Sequence, residues 1–173
     1  MLISGKETAG SKETVCSKEN SRQALLISAC LLGQPVRYDG DHAQISAALM
    51  TQLNANFTLV PICPELLGGL STPRLPAEIV CQDERIEVIN ISGENLTDAF
   101  HGGANKAGDI ALQHGIKRAL LKSKSPSCGS GLIYDGSFTG RLRVGNGITT
   151  QHLQSMGVQV FHEDEIELLL TDI

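Results

Sequence analysis

No run of apolar residues in this chain approaches the roughly 20 needed to span a bilayer. The first 22 residues, mostly Ser, Lys, Glu, Thr and Gly, also lack the apolar core of a secretory signal. These two absences predict a cytoplasmic protein with no membrane partner, in a compartment where thiols stay reduced. Excess positive charge is missing too. Nineteen acids against 14 Lys and Arg leave a formal net charge of −5 and a pI near 5.5. That balance argues against a nucleic acid polymer as the main partner. Tryptophan is absent, and two Tyr and four Phe are the only aromatic residues. Nor is there a disulfide framework, because the five cysteines (16, 30, 63, 81, 128) are odd in number and widely spaced.

Glycine, by contrast, is plentiful at 18 residues, which suggests tight turns and backbone close to a ligand. A chain of 173 residues is most simply one domain with a sizeable core. Residues 1–22 show balanced charge and no apolar pattern, and are expected to be a disordered tail or extension carrying an irrelevant Cys16. Residues 23–173 form the expected domain.

Strands are expected at 24–29, 57–62, 117–121 and 158–161, with a strand or edge hairpin over 79–91. Helices are expected at 45–54, 97–114 and 148–156, and another begins at the acids 163–165. Asp135-Gly136 predicts a hairpin over 132–138 with a primed two-residue turn. Strands alternating with helices imply an α/β fold: a single-domain, three-layer sandwich around a mostly parallel, Rossmann-like sheet.

Cys30 and Cys63 each end an apolar strand-like run, and Cys128 follows a third one. Parallel strands would align their C-terminal ends along one sheet edge, where open α/β sheets place ligands. Cys63-Pro64 and Pro126-Ser127-Cys128 sit in loops stiffened by proline, as a metal ligand requires. Three prolines and two adjacent glycines make 63–78 a long, rigid loop of the kind that is usually functional in a compact domain. Yet the intervals of 33 and 65 residues match no zinc finger, zinc ribbon or ferredoxin run. Spacing alone therefore leaves inert thiols, a single metal and a three-cysteine centre all open. Cys81 reads as structural, and the five histidines form no pair at ligand spacing. Asn146-Gly147-Ile148-Thr149-Thr150 reads as a helix cap in preference to a phosphate cradle.

Three signatures in order carry a resemblance. Ser28-Ala29-Cys30-Leu31-Leu32-Gly33 with Arg37-Tyr38-Asp39-Gly40 is the first. Cys63-Pro64-Glu65 with Gly68-Gly69-Leu70, Pro73-Arg74, Pro76 and Glu78 is the second. Lys122 with Ser125-Pro126-Ser127-Cys128-Gly129 is the third. Together they resemble the bacterial "domain of unknown function 523" family, which includes the [4Fe-4S]-dependent thiouracil desulfidases, and the likeness covers residues 24–162. One departure is Val36, where many relatives have a further cysteine.

The resemblance implies a [4Fe-4S] cluster held by Cys30, Cys63 and Cys128 at the C-terminal strand ends, with the fourth iron open to substrate. It implies hydrolytic desulfuration of a thiolated pyrimidine, thiouracil or its nucleoside monophosphate, with release of sulfide. Glu65 and Ser125 are the implied catalytic pair: Glu65 as general acid or base, Ser125 as an orienter of water or a proton relay. Without the resemblance, a solvated loop carboxylate and a turn hydroxyl are the simpler readings of these two. Arg37, Asp39, Arg74, Lys122 and Lys124 are candidate substrate-binding residues. Arg74 stands out among them, with an ion pair to Glu78 or Asp39 as its structural alternative. The rival functions are a non-catalytic iron–sulfur or metal-binding protein, such as a sensor or sulfur carrier, and a zinc hydrolase using the same thiolates.

Overall fold

The computed structural model describes residues 22–82 and 85–172, so all but the last residue of the expected N-terminal tail, with Cys16, lies outside the described residues. In chain order the elements are β1 (Gln23–Ser28), α1 (Ala47–Asn56), β2 (Phe57–Ile62), α2 (Pro64–Leu67), β3 (Ala77–Gln82) and β4 (Arg85–Asn90). There follow α3 (Thr97–Gln113), β5 (Arg118–Leu121), β6 (Leu132–Tyr134), β7 (Leu142–Val144), α4 (Ile148–Ser155), β8 (Gln159–His162) and α5 (Ile166–Thr171). Short 3-10 turns occupy Ala29–Leu32 and Glu163–Glu165.

The central sheet has the order β2-β1-β5-β8 and is parallel throughout. Its inner strands β1 and β5 are buried on both faces, as in parallel sheets generally. Alternation along β1 shows how: Leu25 and Ile27 face a core with Leu53 of α1 and Leu169 of α5. Leu26 faces the opposite core, with Ala107 and Ala111 of α3 and Leu153 of α4. In β5 the same alternation sends Leu120 to the first core and Ala119 and Leu121 to the second. Helices on both faces make the three-layer α/β sandwich. Each fully buried Leu or Ile contributes about 1.5–3 kcal/mol.

A third, smaller core joins Ala77 and Ile79 of β3, Val88 of β4 and Ile133 of β6 to Phe100 and Ala104 of α3. It holds two antiparallel hairpins, β3–β4 and β6–β7, against one end of the sandwich. Two expectations are corrected here. The 79–91 region does not extend the sheet edge; it is a hairpin in a two-stranded sheet of its own. The Asp135-Gly136 turn is not a two-residue one, since Tyr134 pairs with Leu142 and leaves residues 135–141 as the loop. The reason is a competing acceptor: the N–H groups of Gly136 and Phe138 donate to Oε2 of Glu78 at 2.9 and 3.1 Å instead of closing a tight turn. Phe138 takes a left-handed φ of 56° to do so.

Candidate active site

Three adjacent strands, β2, β1 and β5, deliver their C-terminal ends to one edge. Cys63 directly follows β2, Cys30 lies in the 3-10 turn after β1, and Cys128 sits on the loop after β5. All three line one cavity of about 540 Å³, together with Glu65, Ser125, Arg37, Arg74, Lys122 and Lys124. Asp39 is not among the lining residues. It pairs with Arg37 at 2.7 Å at the rim, and accepts the Asp41 N–H at 3.2 Å.

The thiols feel one another. Burial pushes the Cys30 thiol up to about 11, and nearby Cys63 adds to the rise against the pull of Lys122 and Arg37. Burial drives Cys128 up further; the Ser28 hydroxyl opposes this, while Cys30, Glu65 and Cys63 reinforce it. Cys63 is raised by burial as well, the backbone N–H groups of Leu66 and Glu65 restraining it. Its thiol donates to the Val36 carbonyl at 3.7 Å, so Val36 stands directly at this site. Three thiols that line one low-dielectric chamber repel one another when ionised, and a multivalent cationic body would relieve that repulsion. Among the described residues no trio of His, Cys, Asp or Glu is set to grip one metal ion. The three cysteines line one chamber. All-thiolate donors spread around such a space suit an iron–sulfur cluster.

Glu65 is carried by α2, a single turn wedged against α3. The wedge works because both backbones lack Cβ where they cross: a Cβ on Gly68 would lie 2.1 Å from the Ala99 carbonyl oxygen, and one on Gly103 1.9 Å from that of Pro64. Lys106 of α3 donates to the Leu67 carbonyl at 2.8 Å, closing the end of α2. Arg74 donates from Nε to Oε2 of Glu65 at 3.1 Å, and Nη2 contacts the same oxygen. Its guanidinium lies over the ring of Tyr38 (5.9 Å) and that of Phe100 (5.6 Å). Arg74 therefore pairs with neither Glu78 nor Asp39.

Ser125 Oγ accepts the N–H groups of Ser127 and Cys128 at 3.0 and 3.1 Å, a hydroxyl turn that shapes the cysteine loop. Its own proton stays available at the cavity wall. The loop is fixed from behind by the start of α4: Ile148 and Thr149 donate to the carbonyls of Pro126 and Ser127, both at 2.9 Å, and Thr150 Oγ1 donates to that of Cys128 at 2.8 Å. The α4 N-terminus is thus spent on the loop and not open to phosphate.

Lys122 pairs with Glu163, whose carboxylate also accepts the Ser123 N–H at 2.8 Å and hydroxyl at 2.7 Å. Burial alone would raise Glu163, but Lys122 and Ser123 hold it below the usual carboxylate range. Glu163 escaped the sequence reading, which took it for a helix-start acid. The parallel pairing of Leu121 with His162 puts Lys122 beside Glu163, and that register has no local sequence signal. Lys124, exposed and with a left-handed φ of 64°, has no carboxylate partner among the described residues. Tyr134 and Glu78 also line the cavity and were not proposed as site residues.

The described residues contain no helix long and apolar enough to cross a membrane. Comparison with known proteins is consistent across sequence and fold. The sequence model of the 2-thiouracil desulfurase family matches residues 25–165. A Bacillus subtilis (strain 168) protein described as the uncharacterized protein YbbK is 38% identical over 152 residues, 84% of this chain and 99% of that one. A solved structure, the [4Fe-4S]-dependent thiouracil desulfidase TudS, superposes with a TM-score of 0.79 at 45% identity, covering 88% of this chain and 100% of that one.

Proposed function

Because the chain belongs to the 2-thiouracil desulfurase family, we propose that it is a [4Fe-4S]-dependent desulfidase that hydrolyses thiouracil to uracil and sulfide. The observation that carries this reading is the meeting of Cys30, Cys63, Cys128, Glu65 and Ser125 around one cavity. Cys30, Cys63 and Cys128 hold the cluster as thiolates. When bound, it supplies a Lewis-acidic iron with a coordination position free for a thiocarbonyl sulfur.

The protein's own groups handle water and protons. Glu65 lines the cavity and Arg74 holds its Oε2, so the oxygen left free of the guanidinium, Oε1, is the base that takes a proton from the attacking water. That water adds to the ring carbon bearing sulfur, the C–S bond breaks, and the new C–O bond completes the oxo-base. Ser125 orients the water or passes the proton to the departing sulfur or ring nitrogen. No electrons are gained or lost overall.

Arg37, braced by Asp39, and Lys124 line the same cavity and are the cations offered to a 5′-phosphate. Lys122 faces the cavity but is committed to Glu163. Arg74 serves mainly to position Glu65. Whether base or nucleotide is preferred is read by assaying sulfide release anaerobically from 2- and 4-thiouracil and their nucleoside monophosphates. Release from at least one of these supports the reading. None from cluster-loaded protein contradicts it.

A further inference from the structure

Glu78 is a buried carboxylate, 8% exposed, with no cationic partner among the described residues. Its Oε2 accepts the N–H groups of Gly136 and Phe138, which clasps the tip of the β6–β7 hairpin to β3. Its Oε1 accepts no hydrogen bond from any described residue, and the side chain lines the cavity that holds the three thiols. A carboxylate has about four lone-pair sites, and Oε1, unpaired by the protein and not sealed from solvent, is open to a donor that enters the cavity. The clasp also fixes the geometry. A Cβ on Gly136 would sit 2.9 Å from the Ile79 carbonyl oxygen, so hairpin tip and strand are in close contact and Glu78 cannot swing away cheaply.

We propose that Glu78 is a specificity-determining residue that accepts the N3–H of the pyrimidine ring. The proposal rests on the desulfidase reading above. N3–H is the donor that fits, because it flanks the thiocarbonyl carbon in both 2-thio and 4-thio bases. It also survives in nucleosides, where N1 is substituted. A site built around such a contact discriminates strongly against an analogue that lacks the donor, since the acceptor is then buried unpaired.

The test compares kcat/KM for 2-thiouracil, 3-methyl-2-thiouracil and 2-thiocytosine, using anaerobically cluster-loaded wild-type protein and Glu78→Gln. The glutamine oxygen can keep both amide bonds of the clasp, which turns its NH2 group toward the cavity. The wild-type protein is expected to disfavour the 3-methyl compound by at least about tenfold. In Glu78→Gln, kcat/KM for 2-thiouracil is expected to fall at least about tenfold, with 2-thiocytosine, whose N3 is an acceptor, losing less. An unchanged thiouracil-to-thiocytosine ratio in a folded variant overturns the proposal and leaves Glu78 as a hairpin clasp only. Should the variant not fold, the wild-type comparison decides alone: equal rates on the methylated and unmethylated bases overturn it. Wild-type protein inactive on every thiopyrimidine is the distinct outcome that overturns the desulfidase reading itself.

Discussion

Arg74 directs both Nε and Nη2 at a single oxygen of Glu65, Oε2, and leaves Oε1 free of the guanidinium. The arrangement fixes one carboxylate oxygen of a residue that lines the cavity and leaves the other without a hydrogen bond to any described residue. Arg74 is held in place by contact with two aromatic rings and by Nη1 donating to the Leu75 carbonyl at 2.6 Å.

Arg74→Lys is therefore expected to lower kcat by about 10- to 100-fold with little change in KM, because an ammonium cannot reproduce the two-pronged grip. The loss should be the same on thiouracil and on its 5′-monophosphate. A much larger loss on the nucleotide would show instead that Arg74 reads phosphate.

Glu65→Gln removes the base but keeps the shape. The variant should retain the brown chromophore and lose about 10²- to 10⁴-fold in sulfide release, the usual worth of a general acid or base. Full activity would remove Glu65 from the reaction.

Gly103→Ala tests how α2 is placed. The added methyl group meets the Pro64 backbone, so α2 must shift and Glu65 with it. We expect a destabilisation of about 1–3 kcal/mol, read as a lower midpoint in denaturant, together with reduced activity. Gly102, with open space around its Cβ position, is the control: Gly102→Ala should be neutral or mildly stabilising.

Glu163 provides a pH signature. Its folded pKa lies below the ordinary carboxylate value, so it contributes stability above about pH 4.5, and that contribution is lost as pH falls through the folded value. Glu163→Gln should cost about 1–2 kcal/mol at pH 7. It should also flatten the acid limb of the stability profile, as followed by thermal melts between pH 3 and 7. An unchanged acid limb would mean that the Lys122–Glu163 pair contributes nothing.

The sandwich was legible because β1 and β5 are short apolar runs whose residues must be buried on both faces, and because Phe100, Ala104, Ala107 and Ala111 mark one stripe of α3. The thiol edge followed from parallel strands. What could not be read was cross-chain register. Lys122 meets Glu163 and Glu78 captures the hairpin tip only after distant strands pair, and no local pattern announces either contact. Asp135-Gly136 misled for the same reason, since a remote carboxylate outcompeted the local turn. Arg74 reads from the sequence as a substrate-binding residue, with an ion pair to Glu78 or Asp39 as the alternative, but the wedge of α2 on α3 brings Glu65 to it.

Iron and acid-labile sulfide analysis of anaerobically purified protein, for the wild type and for Cys30→Ser, Cys63→Ser, Cys128→Ser and Cys81→Ser, bears most directly on whether three thiols share one cluster. About four iron and four sulfide per chain are expected in the wild type and in Cys81→Ser, with loss in each of the other three. One zinc and no sulfide in the wild type, or full cluster content in any of those three variants, would contradict it.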